Sequence, residues 1–278
     1  MDSKQRWRKQ GATAGNALLF NETGGYTGFT DTATAGTATI SNISAATTFS
    51  GDATAGNAEI NALDCSYVEF SGNSTADTAV IYIDGTSALY FIENSSGGSA
   101  QILSAGGIFF GDTASADDAT IVANGILDIS GSTSGSVAVR DLSGATSIIL
   151  GGNDLLLDSM EWGGGGSMTF ELGPDPGLVD IAGIFERGGD GTFEFFFTLD
   201  EDAAPGFYTL VLFGSTTFSE EDFSYDGPSG FAGYFVMTGS SLGFQVTAVP
   251  EPAAAGAAMV AMAITVILFR RRAARPRR

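Results

Sequence analysis

Small and aliphatic residues alternate with polar ones in short bursts along the first half of the chain. Ala38 and Ile40 bracket Thr39, Ala58 and Ile60 bracket Glu59, Ala100 and Ile102 bracket Gln101, and Ala119 and Ile121 bracket Thr120. A second kind of burst ends on an aromatic: Val68 and Phe70, Leu89 and Phe91, Ile108 and Phe110. A period of two places alternate side chains on opposite faces of an extended backbone, so both bursts predict strands. Gly, Asn, Asp and Ser stand between them and supply turns.

The bursts recur in step. "TAGNALL" begins at 13, "TAGTATI" at 34, "TAGNAEI" at 54 and "TADTAVI" at 75; looser copies begin at 96, 115 and 133. Start-to-start spacings are 21, 20, 21, 21, 19 and 18 residues. Phe29, Phe49, Phe70, Phe91 and Phe110 each lie five residues before a copy. A unit of this length with two or three short strands cannot bury its own apolar face and must stack on its neighbours. Residues 11–150 therefore predict about seven coils of a parallel, right-handed β-helix. At about 4.8 Å per coil, equivalent Phe side chains lie one above another inside. After Leu150 the repeat fades. "GTFEFFFTL", "GFYTLVLF" and "GYFVMTGSSLGFQVTA" read as further strands, and residues 151–248 are expected to form an antiparallel β cap over the open coil. The fold class is all-β.

Charge narrows the partners. The formal net charge is −20, with no histidine. Ten of the 12 cations lie in the first nine and last nine residues, which leaves Arg140 and Arg187 for the whole body. Such a surface repels nucleic acid and anionic lipid. Without histidine there is no imidazole base and no His metal ligand. Cys65 lacks an internal disulfide partner, and is expected to pack as a small buried apolar group. Asp117 and Asp118 form the best local carboxylate pair, Asp64, Asp77 and Asp84 fall on turns, and Arg140 stands alone. No catalytic set and no metal set emerges. A structural calcium ion would suit turn Asp and Asn oxygens, but "GGDG" at 188–191 is only a fragment of the calcium nonapeptide.

The chain's last 30 residues have another character. "VPEP" is followed by Ala253 to Phe269, 17 residues without charge, and then by Arg270, Arg271 and Arg272. As a helix this run would span about 25 Å, the short end of membrane-crossing length. The arginines would keep the C-terminus cytoplasmic and the acidic body outside. This three-part tail resembles the PEP-CTERM sorting signal of Gram-negative bacteria. The resemblance covers about residues 249–278. It implies that Val249, Pro250, Glu251 and Pro252 are the recognition motif, Ala253 to Phe269 the transmembrane helix and Arg270 to Arg272 the stop. It also implies an exosortase as processing partner, transient residence in the inner membrane, and a final place at the cell surface or in the extracellular polysaccharide matrix. Upstream, "APGFYTLVLF" and "GSSLGFQVTAVPEP" are similar, more loosely, to autotransporter-type repeat proteins with this tail. The start, "MDSKQRWRKQ", departs from the family: it is basic with no apolar signal region behind it. Residues 1–10 are read as a truncated or wrongly assigned start.

Together these features predict a non-enzymatic, secreted or surface-associated repeat protein with a structural or adhesive role in the matrix. The alternative is a carbohydrate-binding or carbohydrate-active β-helix, a hydrolase or lyase. A groove where two or three carboxylates converge would favour the alternative.

Overall fold

The alternation of the sequence becomes two long sheets. The computed structural model describes residues 11–249, together with the backbone of residues 4–7. One sheet of 12 strands contains Leu18–Asn21 (β2), Thr39–Ile43 (β4), Glu59–Leu63 (β6), Val80–Ile83 (β8), Gln101–Ser104 (β10), Asp117–Ala123 (β12), Ser136–Gly144 (β14), Asp154–Gly163 (β16), Val179–Gly188 (β18), Gly206–Thr216 (β20), Ser241–Ala248 (β23) and Ala232–Met237 (β22), in that order. The other, of 11 strands, contains Lys4–Trp7 (β1), Tyr26–Phe29 (β3), Ala46–Phe49 (β5), Tyr67–Phe70 (β7), Ala88–Phe91 (β9), Gly107–Asp112 (β11), Ile126–Ser132 (β13), Ser147–Ile149 (β15), Ser167–Leu172 (β17), Phe193–Leu199 (β19) and Phe223–Asp226 (β21). Consecutive strands alternate between the sheets, and neighbours within a sheet run parallel from β1 to β21. This is a parallel β-solenoid.

A third side closes each early coil. Thr13, Thr34, Thr54, Thr75, Ser96 and Ser115, the first residues of successive repeat copies, pair in a parallel ladder of single bridges. Each hydroxyl accepts a hydrogen bond from the backbone N–H two residues on, at Gly15, Gly36, Gly56, Asp77, Gly98 and Asp117. Those six residues have φ between +50° and +61°, except Gly36 at +66°. The left-handed corner explains why glycine fills most of these positions. Buried Ala33, Ala35, Ala53, Ala55, Ala76, Ala114 and Ala116 bring this side close to the two sheets.

The core consists of ladders. Ile40, Ile60, Ile81, Ile102 and Ile121 are in register across the longer sheet and fully buried. Facing them, Phe29, Phe49, Phe70, Phe91 and Phe110 stack with ring centroids 4.8, 4.7, 5.0 and 5.1 Å apart and planes within 11°. Each such pair contributes about 0.5–1.5 kcal/mol beyond the area it buries. In the first coils a polar ladder joins them. Asn21 donates to Asn42, and Thr27 and Thr47 donate to the Asn21 and Asn42 side-chain oxygens. The next coil carries Ala62 and Val68 instead, and buried Asn42 Nδ2 is left without a partner.

The expected antiparallel cap over 151–248 needs correction. Parallel pairing continues past Leu150 through β16 to β21. Antiparallel pairing is confined to β20 with β23 and β23 with β22. The solenoid thus has more coils than the fading repeat suggests. Here the core changes from ladders to a cluster around buried Trp162, packed by Phe185, Phe193, Phe195, Phe218 and Phe223. Among the described residues no helix is long and apolar enough to cross a membrane. The transmembrane helix expected over Ala253 to Phe269 lies outside those residues.

Candidate functional site

Alternation that buries one face displays the other. On the longer sheet, Val137 and Val139 point inward on β14, so Ala138 and Arg140 point out. Leu156 and Asp158 do the same on β16. Ala138, Leu156 and Asp180 occupy one register row. With Asp117, Asp118, Leu157, Val139 and Ala182 these residues line an open groove of about 480 Å³. The Asp117–Asp118 pair and the lone Arg140 are thus brought to one groove, and Asp158 and Asp180 join them. Nothing in the sequence points to the last two, because only pairing across coils makes them neighbours.

Part of this set is already engaged. Asp117 accepts a hydrogen bond from the Ser96 hydroxyl, and its backbone is held at φ +50°. Arg140 Nε donates to Asp141 at 3.0 Å, and Nη2 donates to the Thr120 hydroxyl. The Ser159 hydroxyl lowers the Asp141 pKa; partial burial opposes this, and Arg140 adds to the lowering. The Arg140–Asp141 pair is exposed, and such pairs contribute about 0–1 kcal/mol.

The turn carboxylates are structural. Asp84 accepts from the Asp64 backbone N–H at 2.8 Å in the coil before, and from the Thr86 N–H and hydroxyl. Partial burial raises its pKa, but hydrogen bonds from Asp64, Ser87 and Thr86 outweigh that and hold it at about 2. Asp77 accepts a long bond from Thr54. Glu93 and Asp112 repeat the device, accepting from Gly72 N–H and Glu93 N–H. Asp190, in "GGDG", lies exposed 3.9 Å from Arg187. Among the described residues no three His, Cys, Asp or Glu side chains are gathered to hold a metal ion.

The shorter sheet has its own outward feature. Tyr26, Ala46, Tyr67, Ala88 and Gly107 form one register row across five strands. The Tyr26 ring leans along its own strand over Gly28, and a notch opens over Ala46 between it and Tyr67. The notch measures about 380 Å³ and is lined by Gly24, Gly25, Tyr26, Ser44, Ala45, Ala46, Cys65 and Tyr67. The Tyr26 hydroxyl shares a hydrogen bond with Thr48. Partial burial, then the charge of Glu69, then Tyr26 raise the Tyr67 pKa. Beyond the notch Tyr67 meets Tyr90 edge-on at 6.4 Å, and Tyr90 stacks on Phe109 at 5.0 Å. Cys65 corrects an expectation: it is exposed, because it occupies a left-handed corner (φ +61°) rather than an inward strand position.

A third opening of about 450 Å³ lies among Gly173–Leu178, Phe207, Tyr208, Thr209 and Asp154. Burial, reinforced by Asp175, raises the Asp154 pKa, a Leu178 backbone hydrogen bond opposes it, and Asp180 adds to the rise. Of the sorting motif only Val249 falls within the described residues, where it packs partly buried against the core. Pro250, Glu251, Pro252, the span Ala253–Phe269 and Arg270, Arg271 and Arg272 lie outside them. Comparison with protein-family models, with characterised proteins and with solved structures finds no match.

Proposed function

We propose that this chain is a non-enzymatic, surface-associated β-solenoid that contacts extracellular polysaccharide through its lateral faces. Its tail serves as a sorting signal read by an exosortase-type enzyme. The observation that carries the binding part is the pair of long outward faces, held in register coil after coil. The tail's order of motif, apolar run and arginines carries the sorting part. In this reading the winding is right-handed and the β22–β23 hairpin shields the last coil, since an open sheet edge invites pairing with other chains. The protein passes through the inner membrane and ends outside.

Replacing Pro250, Glu251 and Pro252 with alanine in the native host, followed by cell fractionation, tests the sorting role. The variant is expected to stay in the membrane fraction. An unchanged distribution would overturn that role. A second reading, carbohydrate-active, is favoured by one observation: the groove where Asp117, Asp118, Asp158 and Asp180 lie beside Arg140. New reducing ends from a polysaccharide, lost on Asp158→Asn, would establish it over the first.

A further inference from the structure

The last strand of the longer sheet is β22, and one of its edges pairs with β23. At the hairpin's turn the Thr238 N–H donates to the Ser241 carbonyl. From there the ladder alternates, so Gly233, Phe235 and Met237 direct N–H and C=O away from β23. That row has no strand beside it among the described residues. Two side chains meet it instead. The Met237 N–H donates to Glu220 Oε1 at 2.5 Å, and the Gly233 N–H donates to the Tyr225 hydroxyl oxygen at 3.2 Å. Tyr225 belongs to β21 and Glu220 to the 3-10 turn Glu220–Asp222 before it, so the free edge of one sheet is tied to the end of the other. The turn is itself held. Asp222 accepts from the Ser219 N–H and hydroxyl at 2.7 and 2.9 Å and lies 3.4 Å from Arg187 Nη1. Between the two bonds the Phe235 ring packs on Phe195, Phe223 and Phe244, with centroids 5.1, 5.6 and 5.0 Å away. Glu220 and Tyr225 are exposed, so both bonds can be released without opening a core cavity.

A row of this kind is its own complement. Turned about a two-fold axis at Phe235, Gly233 faces Met237 of a second copy, and each N–H meets a carbonyl. Such pairing also covers Phe235 and Met237, which the end of the sheet leaves half-buried. A charged side chain laid on an edge strand opposes it. We infer that Glu220 and Tyr225 form a latch that closes the β22 edge against pairing with β22 of a second copy. This rests on the shielding role given above to the β22–β23 hairpin and names the contacts that keep it.

The test uses the full-length chain in detergent. Light scattering after size exclusion reads its mass, and hydrogen–deuterium exchange of the Ala232–Met237 segment reads the latch. Glu220→Ala is expected to speed that exchange several-fold and to produce a concentration-dependent dimer. Glu220→Gln keeps an acceptor oxygen and should match the parent in both. Tyr225→Phe deletes one oxygen; it should speed exchange in the same segment and, combined with Glu220→Ala, tighten the dimer. If circular dichroism shows Glu220→Ala unfolded, Tyr225→Phe carries the test alone. Unchanged exchange in both variants would overturn the latch and leave the shielding role standing. Faster exchange with no dimer would overturn both. A dimer of Glu220→Gln would trace the effect to charge rather than to the bond, and a parent already as dimeric as its variants would show no closed edge; either result overturns the latch. An open series of larger species would mean head-to-tail joining and overturn the two-fold pairing.

Discussion

Phe70 sits at the middle of the phenylalanine ladder, and replacing it with leucine isolates what ring stacking contributes. Its ring lies 4.7 Å from Phe49 and 5.0 Å from Phe91, and it is fully buried. Truncation to alanine would cost about 3–5 kcal/mol, most of it cavity and lost transfer energy. Leucine keeps most of the volume, and a near-isosteric swap costs less than about 1.5 kcal/mol. It also breaks two ring pairs at about 0.5–1.5 kcal/mol each, so Phe70→Leu should cost about 1–4.5 kcal/mol in all. Phe110 stacks on Phe91 at 5.1 Å and has no other ring contact among the described residues. Phe110→Leu should therefore lose one pair term rather than two. Urea unfolding followed by far-UV circular dichroism measures both. A double-mutant cycle of Phe49→Leu with Phe70→Leu measures the pair directly, with an expected coupling of about 0.5–1.5 kcal/mol. A coupling near zero, with equal losses at positions 70 and 110, would refute the reasoning. The rings would then be stacked only because the coils are.

Asp84 makes the fold acid-sensitive in a defined window. Its folded pKa of about 2 lies below the ordinary value of 3.8, so its contribution is complete above about pH 4 and is lost as pH falls toward 2. Thermal melts from pH 6 to pH 2 should show a steeper decline for the parent than for Asp84→Asn; parallel curves would exclude the role. At the left-handed corner, Gly56→Ala places a Cβ 2.9 Å from the Gly36 carbonyl oxygen and should destabilise by about 1–2 kcal/mol. Asp77→Gly, at the equivalent corner, relieves a strained φ but loses the long hydrogen bond from Thr54, and should be near neutral, read from urea midpoints. Arg187 reaches Asp222 at 3.4 Å and lies over the Phe193 ring at 5.6 Å. Arg187→Gln should speed limited proteolysis at the 3-10 turn Glu220–Asp222, and no change in cleavage rate would place that turn's order elsewhere.

Much of the first half was legible because two signals ran in phase. The Thr or Ser that opens each of the first six copies became a rung of the bridge ladder, and each Phe five residues earlier became a ring in the stack. Inward alternation at Ile40, Ile60 and Ile81 was legible for the same reason. The coils after Leu150 were not, because fixed spacing had ended. Register shifts between Leu157 and Met160 and between Ile181 and Ile184 insert extra residues into strands that still pair in parallel. Aromatic bulk around Trp162 then replaces a repeated small set. The lateral groove was hidden for a different reason. Outward positions have no core to satisfy, so Asp158 and Asp180 leave no periodic trace, and only the register brings them beside Arg140. Cys65 departs from the burial usual for a free cysteine because its left-handed corner turns the chain out of the strand.

The bridge ladder of Thr13, Thr34, Thr54 and Thr75 makes contour length a separate variable from the fold. Excising one whole unit, from Thr34 to Ala53, joins like to like: Thr54 takes the rung of Thr34 and Phe70 takes the place of Phe49. The Thr, Ile and Phe ladders close over the gap, Asn21 and Thr27 then face Ala62 and Val68 in place of Asn42 and Thr47, and the molecule is shorter by one rung, about 4.8 Å. Duplicating a unit lengthens it by the same step. The chain is therefore a ruler graduated in rungs, whose reach can change by copying while the Thr, Ile and Phe ladders are kept.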